Sequence, residues 1–173
     1  YLLNKQLDEI RKLLLPEEIK EVDQGKKAIK KEEGVEEFLR EAKALKIYNG
    51  NGAIRVLRED LENSILLLEA CLPGKPLQIL SNEEKEILIF TNISRRLWTK
   101  VRGDPGFGYL SDEVKYFDWY FKNQRKARKF LPEDLVLKAR EKFKYLINTQ
   151  TDLYLLHSDL HHDNILSSER GWL

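Results

Sequence analysis

The sequence predicts an α+β fold in which a small sheet with one helix is followed by a mainly helical body. Three observations predict it. Two strand-like runs, Ala53 to Leu57 and Ser64 to Cys71, flank a polar turn at Asp60 to Asn63. A strongly periodic helical stretch, Val35 to Tyr48, precedes them, and helical periodicity returns only after the break Leu72-Pro73-Gly74-Lys75-Pro76. That break divides the chain into an N-terminal lobe, residues 1–71, and a helical C-terminal lobe, residues 72–173.

Taken in order, Leu3, Leu7, Ile10, Leu13 and Leu14 stand at helical spacing, and Pro16 interrupts them. The polar segment Glu17 to Lys27 has no assignment from periodicity. After Gly25, Ala28 and Ile29 begin a short strand that ends at Lys30. Gly34 breaks the chain again. In the next helix Val35, Phe38, Leu39, Ala42, Leu45 and Tyr48 share one face, and Asn49-Gly50-Asn51-Gly52 ends it with residues that tolerate positive φ. The run Ile65-Leu66-Leu67-Leu68 lacks alternation, which predicts a strand buried on both faces.

Beyond the break, Ile87, Ile89, Phe90, Ile93 and Leu97 mark a helix from Asn82 to Lys100. The loop Gly103 to Gly108 separates it from an aromatic helix, Asp112 to Phe121, whose Tyr116, Trp119, Tyr120 and Phe121 are expected in the core. Pro132 opens a third helix with Leu135, Leu137, Ala139, Phe143, Leu146 and Ile147 as its apolar set.

Composition bounds the function. The 173 residues are 42% hydrophobic and 34% charged, which excludes a disordered chain. The formal net charge of +1 gives no case for nucleic acid. No apolar run approaches membrane-spanning length, and no signal-peptide pattern opens the chain. A single cysteine, Cys71, excludes an internal disulfide framework and fits a reducing, cytoplasmic setting. The sequence contains no methionine, so its ends are expected to be trimmed.

All three histidines fall in one stretch, Leu155-Leu156-His157-Ser158-Asp159-Leu160-His161-His162-Asp163-Asn164-Ile165-Leu166. Apolar residues on each side predict a loop anchored at both ends. His157, Asp159 and Asn164 have the spacing His-x-Asp-x-x-x-x-Asn. Phosphoryl transfer uses such a pattern: the Asp orients the attacking hydroxyl and accepts its proton, and the Asn five residues on coordinates magnesium. His157 is expected to support the loop. Two other readings stand beside this one, a solvated polar connection and a zinc site using His157 and His161. No glutamate lies between those histidines to act as a general base.

The string His157 to Leu166 resembles the catalytic loop of aminoglycoside phosphotransferases, which usually have Gly where Ser158 stands. The resemblance is greatest to the streptomycin kinase branch, the aminoglycoside/hydroxyurea resistance kinases. Arg40-Glu41-Ala42-Lys43-Ala44-Leu45, Gly50-Asn51-Gly52-Ala53-Ile54-Arg55-Val56-Leu57, Leu66-Leu67-Leu68-Glu69-Ala70-Cys71-Leu72-Pro73-Gly74 and Gly171-Trp172-Leu173 carry it in register from about Ala28 to the end.

This resemblance implies a protein-kinase-like two-lobe fold, apparently truncated, that binds ATP between its lobes with magnesium (Mg2+). It implies Lys30 on the phosphates, Glu41 as its helix partner, and a hinge from Glu69 to Cys71 that recognises adenine through its backbone. Asp159 is then the catalytic base and Asn164 a metal ligand. The expected reaction is transfer to a hydroxyl of streptomycin or a related aminoglycoside, with no nucleic-acid or membrane partner. Asp112, Glu113 and Asp118 are acidic enough to face a cationic acceptor but fit a solvated helix face. The chain departs from the family in two ways. Residues 1–29 contain no Gly-rich phosphate loop, and the second metal-binding aspartate is expected beyond Leu173. The 173 residues by themselves are therefore expected to be inactive, and a kinase-like binding protein without transfer activity is the alternative.

Overall fold

A three-stranded antiparallel sheet and the helix laid on it form the centre of the N-terminal half. The computed structural model describes residues 12–24, 27–31, 34–103, 106–123 and 131–173. The predicted helix at Leu3 to Leu14 lies mostly outside them. Helix α1 spans Pro16–Asp23, β1 Lys27–Lys31, α2 Val35–Tyr48, β2 Val56–Asp60 and β3 Ile65–Glu69. A short 3-10 turn, Leu77–Leu80, leads to α3 at Glu83–Leu97 and then to β4, Thr99–Val101. A second 3-10 turn, Leu110–Glu113, precedes α4, Val114–Lys122; α5 is Glu133–Thr149. Three short strands close the chain: β5 Leu153–Leu155, β6 Ser167–Ser168 and β7 Gly171–Trp172. The α+β class is therefore as the sequence predicts.

The strand order is β1-β3-β2, with β3 in the centre. Ile65, Leu66, Leu67 and Leu68 are all buried, as an unalternating apolar run requires. Phe38 and Ala42 of α2, one turn apart, pack with Leu66 and Leu68, which point to the same side of β3. Leu45, Ile54 and Val56 complete that cluster. Asn49 ends α2 in the left-handed conformation, at φ 47°.

Several predicted boundaries move. Pro16 begins α1 at its first turn, where a missing N–H costs nothing, and Glu18 accepts from the Leu15 N–H at 2.9 Å and from Arg58 at 2.7 Å. The strand expected at Ala53 to Leu57 runs instead from Val56 to Asp60, with a register irregularity between Val56 and Arg58. Asn82 is the N-cap of α3, accepting from the Lys85 N–H, and the helix stops at Leu97 because Thr99 to Val101 turn to β structure. The aromatic helix starts at Val114, and Pro132 caps α5.

The chain forms two compact units, Tyr1–Thr99 with Tyr154–Leu173, and Lys100–Leu153. They follow a different cut from the lobes 1–71 and 72–173: β1 to β3, α3 and the histidine-rich loop all belong to the first unit. In the second unit Phe117 stacks on Phe143, and the Tyr120 hydroxyl donates to the Leu131 carbonyl at 2.8 Å. Tyr120 is buried as expected, whereas Tyr116 and Trp119 are 60% and 58% exposed, so the expectation of a core position fails for them. Asp118 pairs with Arg140 at 2.7 Å, Asp112 accepts from the Tyr109 N–H and Glu113 pairs with Lys115, so the acidic face is engaged by its own neighbours. No helix of the described residues is long and apolar enough to cross a membrane.

Candidate active site

Leu155 and Ile165, the buried residues on either side of the loop, fix its ends. Ile165 and His162 offer their carbonyls to one amide, that of buried Leu77, at 2.9 and 3.1 Å. Pro76 bridges to Leu166, the Gly74 N–H donates to the Ser167 carbonyl, and the Ser167 N–H donates to the Lys75 carbonyl. The segment after the proline-glycine break is thus a splint for the loop. Leu166 and Leu173 exchange backbone hydrogen bonds at 2.8 and 3.0 Å, which closes the β6–β7 hairpin behind it.

Within the loop, the Asn164 side-chain amide donates to the Asp159 carbonyl at 2.8 Å and to its carboxylate at 3.2 Å. The Asn164 N–H donates to the His161 carbonyl at 3.0 Å. These bonds fold the Asp-to-Asn segment into a ring that sets the Asp159 carboxylate. Among the described residues, the Asn164 side-chain oxygen accepts no hydrogen bond. The Asp159 side chain is 79% exposed and therefore open to a substrate.

His161 accepts from the Asp163 N–H at Nδ1 (3.3 Å), and its Nε2 lies 3.8 Å from the Asp159 carboxylate. Its Nδ1 also lies 3.6 Å from the Asp163 carboxylate. His162 meets His161 edge-to-face and stands 3.6 Å from Asp163. His161 and His162 are partly open to solvent rather than packed in the core. Burial holds the His157 pKa below the ordinary histidine value; Asp159 and, more weakly, Glu41 pull it up, and His161 pushes it down. His157 is accordingly neutral at neutral pH.

Ser158 adopts φ 64°, a left-handed conformation that a β-carbon disfavours. Ser158→Gly is expected to stabilise the protein by about 1 kcal/mol. A rise in the denaturant midpoint at unchanged slope would establish this, and a fall would show that the serine side chain contributes more than the strain costs.

The remaining predicted residues lie on the sheet side of the same unit. Lys30 occupies β1 opposite Leu66 of β3; its side chain is outside what the structure describes. Glu41, on α2 and half-buried, is near enough to His157 to bear on its charge. The Cys71 thiol pKa is raised by burial and by Glu69, so the thiol stays protonated rather than nucleophilic. Among the described residues, the Cys71 N–H has no hydrogen-bond acceptor.

A family model described as aminoglycoside/hydroxyurea antibiotic resistance kinase matches residues 18–173. The chain belongs to this family. No curated protein and no solved structure matches it. For a kinase of this family the relevant metal test is the donor set. Among the described residues no three His, Cys, Asp or Glu side chains converge on one point, so the zinc reading lacks a third ligand. The Asn164 oxygen is one neutral donor, whereas magnesium binds through one or two carboxylates plus phosphate oxygens, so Asn164 by itself would hold it weakly.

One residue bonded to Glu69 escapes sequence reading altogether. Arg170, in the β6–β7 turn, donates through Nε and a terminal nitrogen to the two carboxylate oxygens of Glu69, both at 2.6 Å. It also donates to the carbonyls of Gly50 at 2.9 Å and Ala53 at 3.2 Å. Glu69 in turn accepts from the Arg55 N–H and gives its own N–H to the Arg55 carbonyl. Its side chain is therefore committed to internal bonds.

Arg170 holds the Glu69 pKa below the ordinary value, against the upward push of burial. A lowered folded-state pKa means that the stabilisation is complete above the unfolded value, about pH 4.3, and is lost as the pH falls through the folded value. Denaturant titrations from pH 6 to pH 3 are expected to show a loss of stability with acidification that is reduced in Glu69→Gln. Equal losses in both proteins would remove Glu69 from the acid response.

Proposed function

We propose that the protein is an ATP- and magnesium-dependent O-phosphotransferase with a protein-kinase-like fold, acting on a hydroxyl of an aminoglycoside. Streptomycin is the first acceptor to test. The observation that carries the proposal is the ring in which Asn164 holds the Asp159 carboxylate.

In this reading Asp159 receives the acceptor hydroxyl by hydrogen bond. As the hydroxyl oxygen forms its bond to the γ-phosphorus, the bond to the bridging oxygen of ADP breaks and the acceptor proton passes to Asp159. His157, half-buried at the start of the loop, supports it. Asn164 would hold magnesium, which supplies charge neutralisation to the phosphates when bound. Lys30, paired with Glu41, would hold the α and β phosphates, and the hinge from Glu69 to Cys71 would take the adenine edge, with the Cys71 N–H as donor. Most of the acceleration would come from positioning and charge stabilisation.

The test is transfer of γ-labelled phosphate from ATP by the full-length protein to streptomycin and to other aminoglycosides. Labelled, base-stable product is expected with at least one acceptor. ATP binding without transfer to any acceptor would favour the kinase-like binding protein, and failure to bind ATP would refute both readings.

A further inference from the structure

We propose that Arg170 is a positioning residue for the adenine base. It acts through Glu69 to set the hinge backbone that reads the base, and it ties that hinge to the strand pair following the catalytic loop. The inference deepens the kinase reading above and rests on it.

The geometry carries the argument in three steps. First, the bond set is selective for a guanidinium. Nε and one terminal nitrogen span the Glu69 carboxylate at 2.6 Å each, while the terminal nitrogens also reach Gly50 and Ala53. An ammonium has no planar fork and cannot reproduce this arrangement. Second, Glu69 has little remaining freedom. One carboxylate oxygen accepts from the Arg55 N–H as well, and the Glu69 N–H is given to the Arg55 carbonyl. The half-buried pair fixes the last residue of β3, and Cys71, whose amide is unpaired among the described residues, lies two residues on. Its donor direction follows from the placement of Glu69.

Third, the other end of the clamp belongs to the loop side. Arg170 sits in the turn between β6 and β7, its N–H donating to Ser168 Oγ at 3.1 Å, and Ser168 Oγ donating to the Gly171 carbonyl at 2.7 Å. The Leu166–Leu173 backbone pair joins this hairpin to Asn164 and Ile165. The Gly50–Ala53 turn that Arg170 grips is also held by Arg96. The Asn51 side-chain amide donates to the Arg96 carbonyl at 3.1 Å, and Arg96 donates to the Trp172 carbonyl at 3.4 Å. One side chain therefore joins the end of α2, the hinge and the catalytic-loop hairpin.

A residue that only stabilises the unit would affect every nucleotide alike. A residue that aims the hinge would affect the preference for adenine. The experiment is calorimetric titration of full-length wild type and Arg170→Lys with magnesium ATP and magnesium GTP. The wild type is expected to favour ATP, and Arg170→Lys to lose about tenfold in that ATP-over-GTP preference while remaining folded, because a lysine aims the hinge less well. Hydrogen exchange at the Glu69 amide, which donates to the Arg55 carbonyl, should quicken in the same variant. An unchanged preference would overturn the proposal and leave the kinase reading intact, as would parallel loss for both nucleotides. A wild type that prefers neither nucleotide would overturn it too, and one that binds neither would remove the kinase reading with it. Should Arg170→Lys fail to fold, Glu69→Gln, which keeps the shape and removes the charge, gives the same comparison.

Discussion

Asp159→Ala is expected to lower turnover by about 10³-fold, within the range that a positioned general base contributes. Nucleotide affinity should stay within about twofold, because the proposed nucleotide contacts lie on Lys30, the hinge and Asn164. The fold should be unaffected, since the carboxylate is largely exposed and, among the described residues, its side chain accepts one hydrogen bond, from Asn164. The Asp159 carbonyl keeps the stronger of the two Asn164 bonds whatever side chain stands there. Asp159→Asn tests proton acceptance apart from shape: if orientation alone mattered it would retain activity, and if Asp159 takes the proton it would lose nearly as much as alanine. Asn164→Ala removes the residue that sets the carboxylate and the candidate metal ligand together. Its loss is therefore expected not to add to that of Asp159→Ala in the double variant. Substantial turnover by Asp159→Ala, above about a tenth of wild type, would end the assignment of the base.

The loop was legible because its signal is local. An Asp and an Asn five residues apart can close a ring whatever the rest of the chain does, and the observed bonds between Asp159 and Asn164 are of that kind. Helix α2 and strand β3 were legible for a related reason. Each carries enough apolar residues at one period for burial to dominate, and α2 matches Val35 to Tyr48 residue for residue. Boundaries set by weaker signals moved. Pro16 read as a stop and proved a start, because proline suits the first helical turn as well as it interrupts a later one. The start of β2 shifted because Ala53 ends the turn gripped by Arg170 and the Arg55 N–H goes to the Glu69 carboxylate, which no strand propensity records. The clamp itself was illegible. Arg170 and Glu69 are 101 residues apart, and an arginine in a hairpin turn carries no mark of its partner.

Phe38→Ala is expected to cost about 3–5 kcal/mol, the range for deleting a fully buried aromatic side chain from a core. Phe38 has no exposed surface and packs with Ala42, Leu66 and Leu68, where α2 meets the central strand. β3 is buried along Ile65 to Leu68, so little room exists for its neighbours to relax into the space the ring vacates. Such a loss is a large part of the stability of an ordinary domain. The consequence for activity follows from the same contact. Glu41 lies one turn beyond Phe38 on α2, so a helix that shifts on the sheet moves Glu41 relative to His157 and β1. Phe38→Leu refills most of the volume and should recover much of the stability. Chemical denaturation of the full-length protein measures the first effect, and nucleotide affinity of the leucine variant measures the second. If Phe38→Ala cost under about 1 kcal/mol, the α2–β3 contact would not be the core of this unit and could not be what positions Glu41.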